Sequence, residues 1–183
     1  MNSLNGGIPL LTRDYSNMTN INGQFNNVYL LGPDFTSKNN MYCVKSEIKG
    51  FDEYRFYKGE WIKDWPKDII FYCEGKKEVD LLLGGLHWLL ASERMRQVFI
   101  QNDVQGIQFL KTEVVHNNTG KVLDPYWAPN VIQATESLHW ENIQNLNIFR
   151  CHKTSIFVSE QLKRWLEKAG AIRGVVFTRM PHK

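Results

Sequence analysis

A chain of 183 residues that is 43% hydrophobic, with ten Phe, seven Tyr and six Trp, can build one domain-sized core, which excludes disorder throughout. Its 22 basic and 19 acidic residues leave a formal charge of +3 and alternate along the sequence, so no one-sign field arises and nucleic acid is not expected as a partner. The start, Met1-Asn2-Ser3-Leu4, lacks a basic and apolar leader, and the longest apolar stretch, residues 79–91, is interrupted by Asp80, Gly84, Gly85 and His87. That stretch is far short of the roughly 20 residues that cross a bilayer, so a cytoplasmic protein without membrane contact is expected. Cys43, Cys73 and Cys151 are an odd set at irregular spacing within apolar runs, and read as buried reduced thiols.

Residues 1–27 are rich in Asn, Gly, Ser and Thr and read as a loosely docked arm, with residues 28–183 forming a single α+β domain. Val28-Tyr29-Leu30-Leu31 reads as a strand stopped by Gly32-Pro33, and Met41-Tyr42-Cys43-Val44 as a second. Residues 51–66 mix aromatics with charges of both signs until Pro66 ends the element. Ile69-Ile70-Phe71-Tyr72-Cys73 reads as a buried strand closed by Glu74-Gly75. Residues 111–115 and 126–134 are strand-like and are separated by the turn-rich His116-Asn117-Asn118-Thr119-Gly120.

Residues 80–103 align on residues 147–170 without a gap. Leu81-Leu82 falls on Ile148-Phe149, Leu89-Leu90-Ala91 on Ile156-Phe157-Val158, and Ser92-Glu93 on Ser159-Glu160. Met95 then meets Leu162, Val98-Phe99 meets Trp165-Leu166, and after one inserted residue Gly106-Ile107-Gln108-Phe109 meets Gly174-Val175-Val176-Phe177. In each copy the apolar run favours a strand, the Ser can cap the next helix, and the Glu places negative charge at the positive end of its dipole. Leu162, Trp165, Leu166 and Ala169 recur at helical spacing on one face. Two strand-helix-strand copies, residues 80–110 and 147–178, predict an α+β domain with a mixed sheet and helices mainly on one side.

A Ser at a strand-to-helix turn also describes a hydrolase elbow, but that elbow needs flanking glycines, whereas Ser92 lies between Ala91 and Glu93 and Ser159 between Val158 and Glu160. Capping accounts for both serines. His87, His116, His139, His152 and His182 show no metal-ligand spacing, and Cys151-His152, adjacent on a strand, would point to opposite faces. Leu83-Gly84-Gly85-Leu86 lacks the Lys and Ser of a phosphate loop and reads as a turn. No catalytic residue, metal or cofactor is therefore expected, and the protein is read as a non-enzyme.

Two segments lie outside the repeat and combine Trp and Tyr with charge, a composition typical of protein-binding surfaces. The first holds Asp52, Glu53, Tyr54, Glu60, Trp61, Asp64 and Trp65, and the second, within residues 136–144, holds His139, Trp140 and Glu141. The alternative is that these rings pack the core beneath solvated charges. Asp52, Glu53, Glu60 and Asp64 could also form a local acidic patch.

At Asn147-Ile148-Phe149-Arg150, residues 156–163, Gly170 and Gly174-Val175-Val176-Phe177, the sequence resembles the immunity proteins of bacterial polymorphic toxin systems, in the group called immunity class eleven. Asp80-Leu81-Leu82, Leu90-Ala91-Ser92-Glu93 and residues 106–109 resemble the first half of that pattern, which departs in having Asp103 where the second half has Gly170. The resemblance implies a scaffold without catalytic residues that protects a bacterium by binding a cognate toxin encoded next to it. Homo-oligomerisation stays open, and two rival classes remain: an enzyme with an unfamiliar site, and a self-associating structural or regulatory module.

Overall fold

A computed structural model describes residues 27–52, 54–84, 88–135, 138, 140–151 and 154–180; the side chain of Trp140 is also outside the description. The expected arm, residues 1–27, lies outside the described residues except for Asn27. The described elements are β1 (Val28–Pro33), β2 (Tyr42–Glu47), α1 (Tyr54–Lys58), β3 (Ile70–Glu74), β4 (Leu81–Gly84), β5 (Trp88–Ser92), α2 (Glu93–Gln101), β6 (Ile107–His116), β7 (Tyr126–Val131), β8 (Ala134–Thr135), α3 (Trp140–Ile143), β9 (Ile148–Cys151), β10 (Ser155–Ser159), α4 (Glu160–Lys168) and β11 (Val175–Arg179). The class is α+β, as the hydrophobic pattern predicts.

The strands form two mixed sheets where one was expected, in the orders β11-β1-β10-β9-β8 and β2-β3-β6-β7-β5-β4. Each has one parallel pair, β8 with β9 and β3 with β6, among antiparallel ones. The chain passes from the five-stranded to the six-stranded sheet between β1 and β2 and returns just after β7. The expected strand 126–134 breaks at Ile132-Gln133, whose N–H groups both donate to the Gly106 carbonyl, and the chain then enters the other sheet as β8. Conversely, the strand expected at 111–115 and the one opening at Gly106 are a single ten-residue strand, β6.

The hairpins β4/β5 and β9/β10 pair in the same register under the offset that aligns their sequences: Leu81 faces Ala91 and Leu82 faces Leu90, as Ile148 faces Val158 and Phe149 faces Phe157. Ser92 Oγ accepts from the Met95 N–H, and Ser159 Oγ from the Leu162 N–H, each at 3.1 Å. Both serines are helix caps. Helix ends correspond as well, because the Val104 N–H donates to Phe99 O at 3.0 Å and the Ala171 N–H to Leu166 O at 2.9 Å. The intervening residues, Asp103 and Gly170, have φ of 48° and 64°, so Asp103 takes the left-handed turn that glycine takes in the other block. The strand after each helix is not beside the strand before it. An antiparallel strand fills the slot, giving β4-β5-β7-β6 in one sheet and β9-β10-β1-β11 in the other.

Strand alternation sends side chains to two faces and so builds three apolar clusters. A central one joins both sheets to α2 and α4, through Leu31, Leu81, Met95, Phe99, Val158, Leu162 and Leu166. Trp165 packs on it partly buried, but Ala169, expected in the same stripe, is an exposed cap residue, and Ala171 is buried instead. The six-stranded sheet curls until its edges β2 and β4 approach, enclosing Ile69, Phe71, Leu82, Trp88, Leu90 and Ala128 with Phe56 and Ile62. The third cluster lies on the opposite face of the five-stranded sheet and joins Leu138 and Ile143 to Phe149 and Phe157. The two nine-residue helices thus share one side, while the short α1 and α3 cover the other faces.

Cys43 and Cys73 face each other across β2 and β3, with Sγ atoms 2.7 Å apart. Cys43 is only half-buried, unlike Cys73 and Cys151. The Cys73 sulfur and then burial push the Cys43 thiol above its ordinary pKa.

Candidate partner-binding surface

The segment from Asp52 to Trp65 is a short helix and a return loop fixed on the six-stranded sheet. Asp52 Oδ1 accepts from the Tyr54 N–H at 3.0 Å and so starts α1. Gly59, at φ 67°, ends it, with the Glu60 N–H donating back to Arg55 O at 3.3 Å. A Cβ on Gly59 would stand 2.7 Å from Ile132 O and 3.2 Å from Arg150 Nη2, so glycine is needed for close approach as well as for its turn.

The return loop is held by side-chain amides that substitute for strand pairing. Gln108 accepts from the Ile62 N–H at 3.0 Å and donates to Ile62 O at 2.7 Å, while Asn130 Nδ2 donates to Glu60 O at 2.7 Å. These bonds satisfy backbone groups that no strand reaches. Phe56 turns inward beside Phe51, Trp65 and Trp88, at ring separations of 5.7, 5.8 and 4.6 Å. Trp65 is part of that cluster, and its Nε1–H donates to Lys111 O at 2.7 Å. It packs the core edge, so the core alternative describes Trp65.

What faces solvent is a different subset. Tyr54 is 70% exposed and Trp61 58% exposed, two large rings displayed from a backbone fixed beneath them. Asp52, Glu60 and Asp64 are exposed alongside. Arg55 occupies the middle of the group: its Nη1 donates to both Asp64 oxygens, at 2.7 and 2.9 Å, and its Nε to Glu60 at 3.3 Å. The bond from Arg55 holds the Asp64 carboxyl below its ordinary pKa. Two acids of the suggested acidic patch are therefore paired, and the surface is mixed in charge.

The second segment is on the other sheet. Leu138 and Ile143 anchor α3 there, and Glu141 is exposed. Glu53, His139 and the Trp140 side chain lie outside the described residues, so of the second group only Glu141 is placed.

A further exposed apolar feature was not singled out from sequence. Phe35 and Tyr42, 69% and 48% exposed, line a cleft of about 1000 Å³, partly open solvent, with Met41, Leu83 and Gly174. Strand periodicity predicts that Tyr42 alternates outward but cannot reveal that the β2 and β4 edges converge beside it.

The family model for Imm11, an immunity protein family, matches residues 27–144. The chain belongs to the Imm11 immunity protein family. No curated protein sequence matches the chain. The matched span contains β1 through α3, including the whole Asp52–Trp65 loop, the Phe35–Tyr42 cleft and the first of the two corresponding blocks. It ends before β9, so the second block lies beyond it. Among the described residues of this Imm11 chain, no helix is long and apolar enough to cross a membrane.

Proposed function

We propose that this Imm11 protein neutralises a cognate toxin by binding it, without catalysis, in the cytoplasm of the cell that makes both. Membership in an immunity protein family supports the inhibitory role. The single structural observation that supports the binding face is the display of Tyr54 and Trp61 on a loop tied by Gln108 and Asn130. Rigid exposed rings lose little conformational entropy when they enter a partner's pockets, which is why aromatic residues dominate binding hot spots. The flanking Arg55, Glu60 and Asp64 are charges of both signs at the rim, suited to fixing register more than to mimicking nucleic acid. Glu53, His139, Trp140 and Glu141 complete the proposed contact set, over an interface of about 1,200–2,000 Å².

Co-expression with the protein encoded next to it tests the proposal. The neighbour alone should arrest growth, and this chain should restore it and co-purify with it. A neighbour that is harmless, or that stays toxic despite folded Imm11 protein, sinks the reading. Trp61→Ala should weaken the purified complex by about 2 kcal/mol, roughly 30-fold, as measured by calorimetry. Unchanged affinity would remove Trp61 from the interface.

A further inference from the structure

Two buried donors without acceptors line one small cleft between the sheets. Trp88, on β5, is 3% exposed, and its Nε1–H has no hydrogen-bond partner. Arg150, on β9, is 5% exposed; Nη2 donates to Val131 O, while Nε has no partner. Among the described residues no Asp or Glu forms an ion pair with it. Both side chains line a narrow cleft, partly open to solvent, in which the centres of water-sized groups have about 30 Å³, and whose other walls include Tyr57, Leu89, Pro129 and Ile156. A buried guanidinium Nε–H and a buried indole N–H that line one cleft and lack acceptors are what an anion would satisfy.

We propose that this cleft is a carboxylate-binding site in which the Arg150 guanidinium and the Trp88 indole N–H hold one carboxylate group. Among the described residues Arg150 is the one cation of the lining, which suits a monoanion better than a phosphate dianion. The guanidinium fork matches the two coplanar oxygens of a carboxylate, and apolar walls strengthen each charged hydrogen bond. Burial also pulls the Arg150 guanidinium below its ordinary pKa, a cost that a bound anion would reverse. Gly59 matters here too, because a side chain at that position would press on Nη2. The carboxylate comes either from a free small acid or from an acidic side chain of a bound protein.

The test needs no toxin, so it stands or falls apart from the binding role proposed above. The indole cross-peaks of the ¹⁵N-labelled full chain are followed during titration with sodium formate and, separately, with N-acetyl-glutamic acid α-amide, whose only acid is its side chain. Sodium chloride at matched ionic strength is the control, and Trp88→Phe identifies the Trp88 peak. The Trp88 peak should move saturably with carboxylate and not with chloride. Saturation by formate supports the site with a small acid as source, and saturation by the blocked glutamate alone supports it with an acidic side chain as source. Arg150→Lys keeps the charge but loses the fork and should weaken binding at least tenfold, about what one charge-assisted hydrogen bond supplies. No saturable movement in the wild-type chain would mean that water satisfies both donors and would overturn the proposal. An equal response to chloride, or undiminished binding in folded Arg150→Lys, would overturn it as well.

Discussion

Trp61 and Trp65 are four positions apart in one charged segment, and their fates differ because only Trp65 has a carbonyl, that of Lys111, within reach of its indole and three aromatic neighbours around it. Trp65→Ala should cost about 3 kcal/mol of stability in urea denaturation, the range for emptying an aromatic site, whereas Trp61→Ala should leave the midpoint unchanged. Glu160 shows a second residue-scale effect. Its carboxylate accepts from the Tyr29 hydroxyl, from Asn27 Nδ2 at 3.2 Å and from Arg164 Nε at 3.1 Å, and the Tyr29 bond is the main reason that its pKa is lowered. A depressed folded-state pKa means that this stabilisation is complete above the unfolded value of about 4.3 and is lost as pH falls through the lower folded value. Denaturation midpoints should therefore drop on acidification below about pH 5, and Glu160→Gln should flatten that part of the profile. An unaltered acid limb in the variant would contradict the assignment.

At the scale of elements, the helix ends were legible because their chemistry is local. A Ser followed by Glu at the end of an apolar run needs nothing from the rest of the chain to cap a helix, and both do so. The turn at Asp103 was less legible, since Asp tolerates a positive φ without announcing it as Gly does. Gly170 has open space where a methyl group would stand, so Gly170→Ala should cost only the backbone strain, about 1 kcal/mol. Gly59→Ala should cost more, because the added carbon meets Ile132 O as well. Thermal denaturation of the two variants gives the order directly, and equal losses would argue that the contact at Gly59 relaxes freely.

For the whole molecule, Asp80 joins parts that are distant in sequence. Fully buried, it accepts from Ser92 Oγ at 2.7 Å, from Arg94 Nη2 at 2.7 Å and from the Arg173 N–H at 2.7 Å, tying the start of α2 to the loop before β11. The corresponding Asn147 side chain receives only the Ser159 hydroxyl, at 3.1 Å, among the described bonds. Asp80→Ala should destabilise by about 2–3 kcal/mol, the worth of charge-assisted bonds whose Arg partners can still reach water, and Asn147→Ala by less. Urea midpoints that fall equally would show that the extra link through Arg173 contributes nothing.

Sequence alone determined what short range can determine: the α+β class, the helix caps and the buried Leu162 and Leu166 of α4, all of which rest on spacing and on neighbours a few residues away. The division into two sheets, the insertion of β1 and β7 into the slots left by the helical crossovers, and the burial of Trp65 beside an exposed Trp61 were decided by tertiary structure. So was the meeting of Trp88 with Arg150. These depend on which distant strands pair, and strand pairing leaves no signature in local periodicity because one alternating pattern fits many partners.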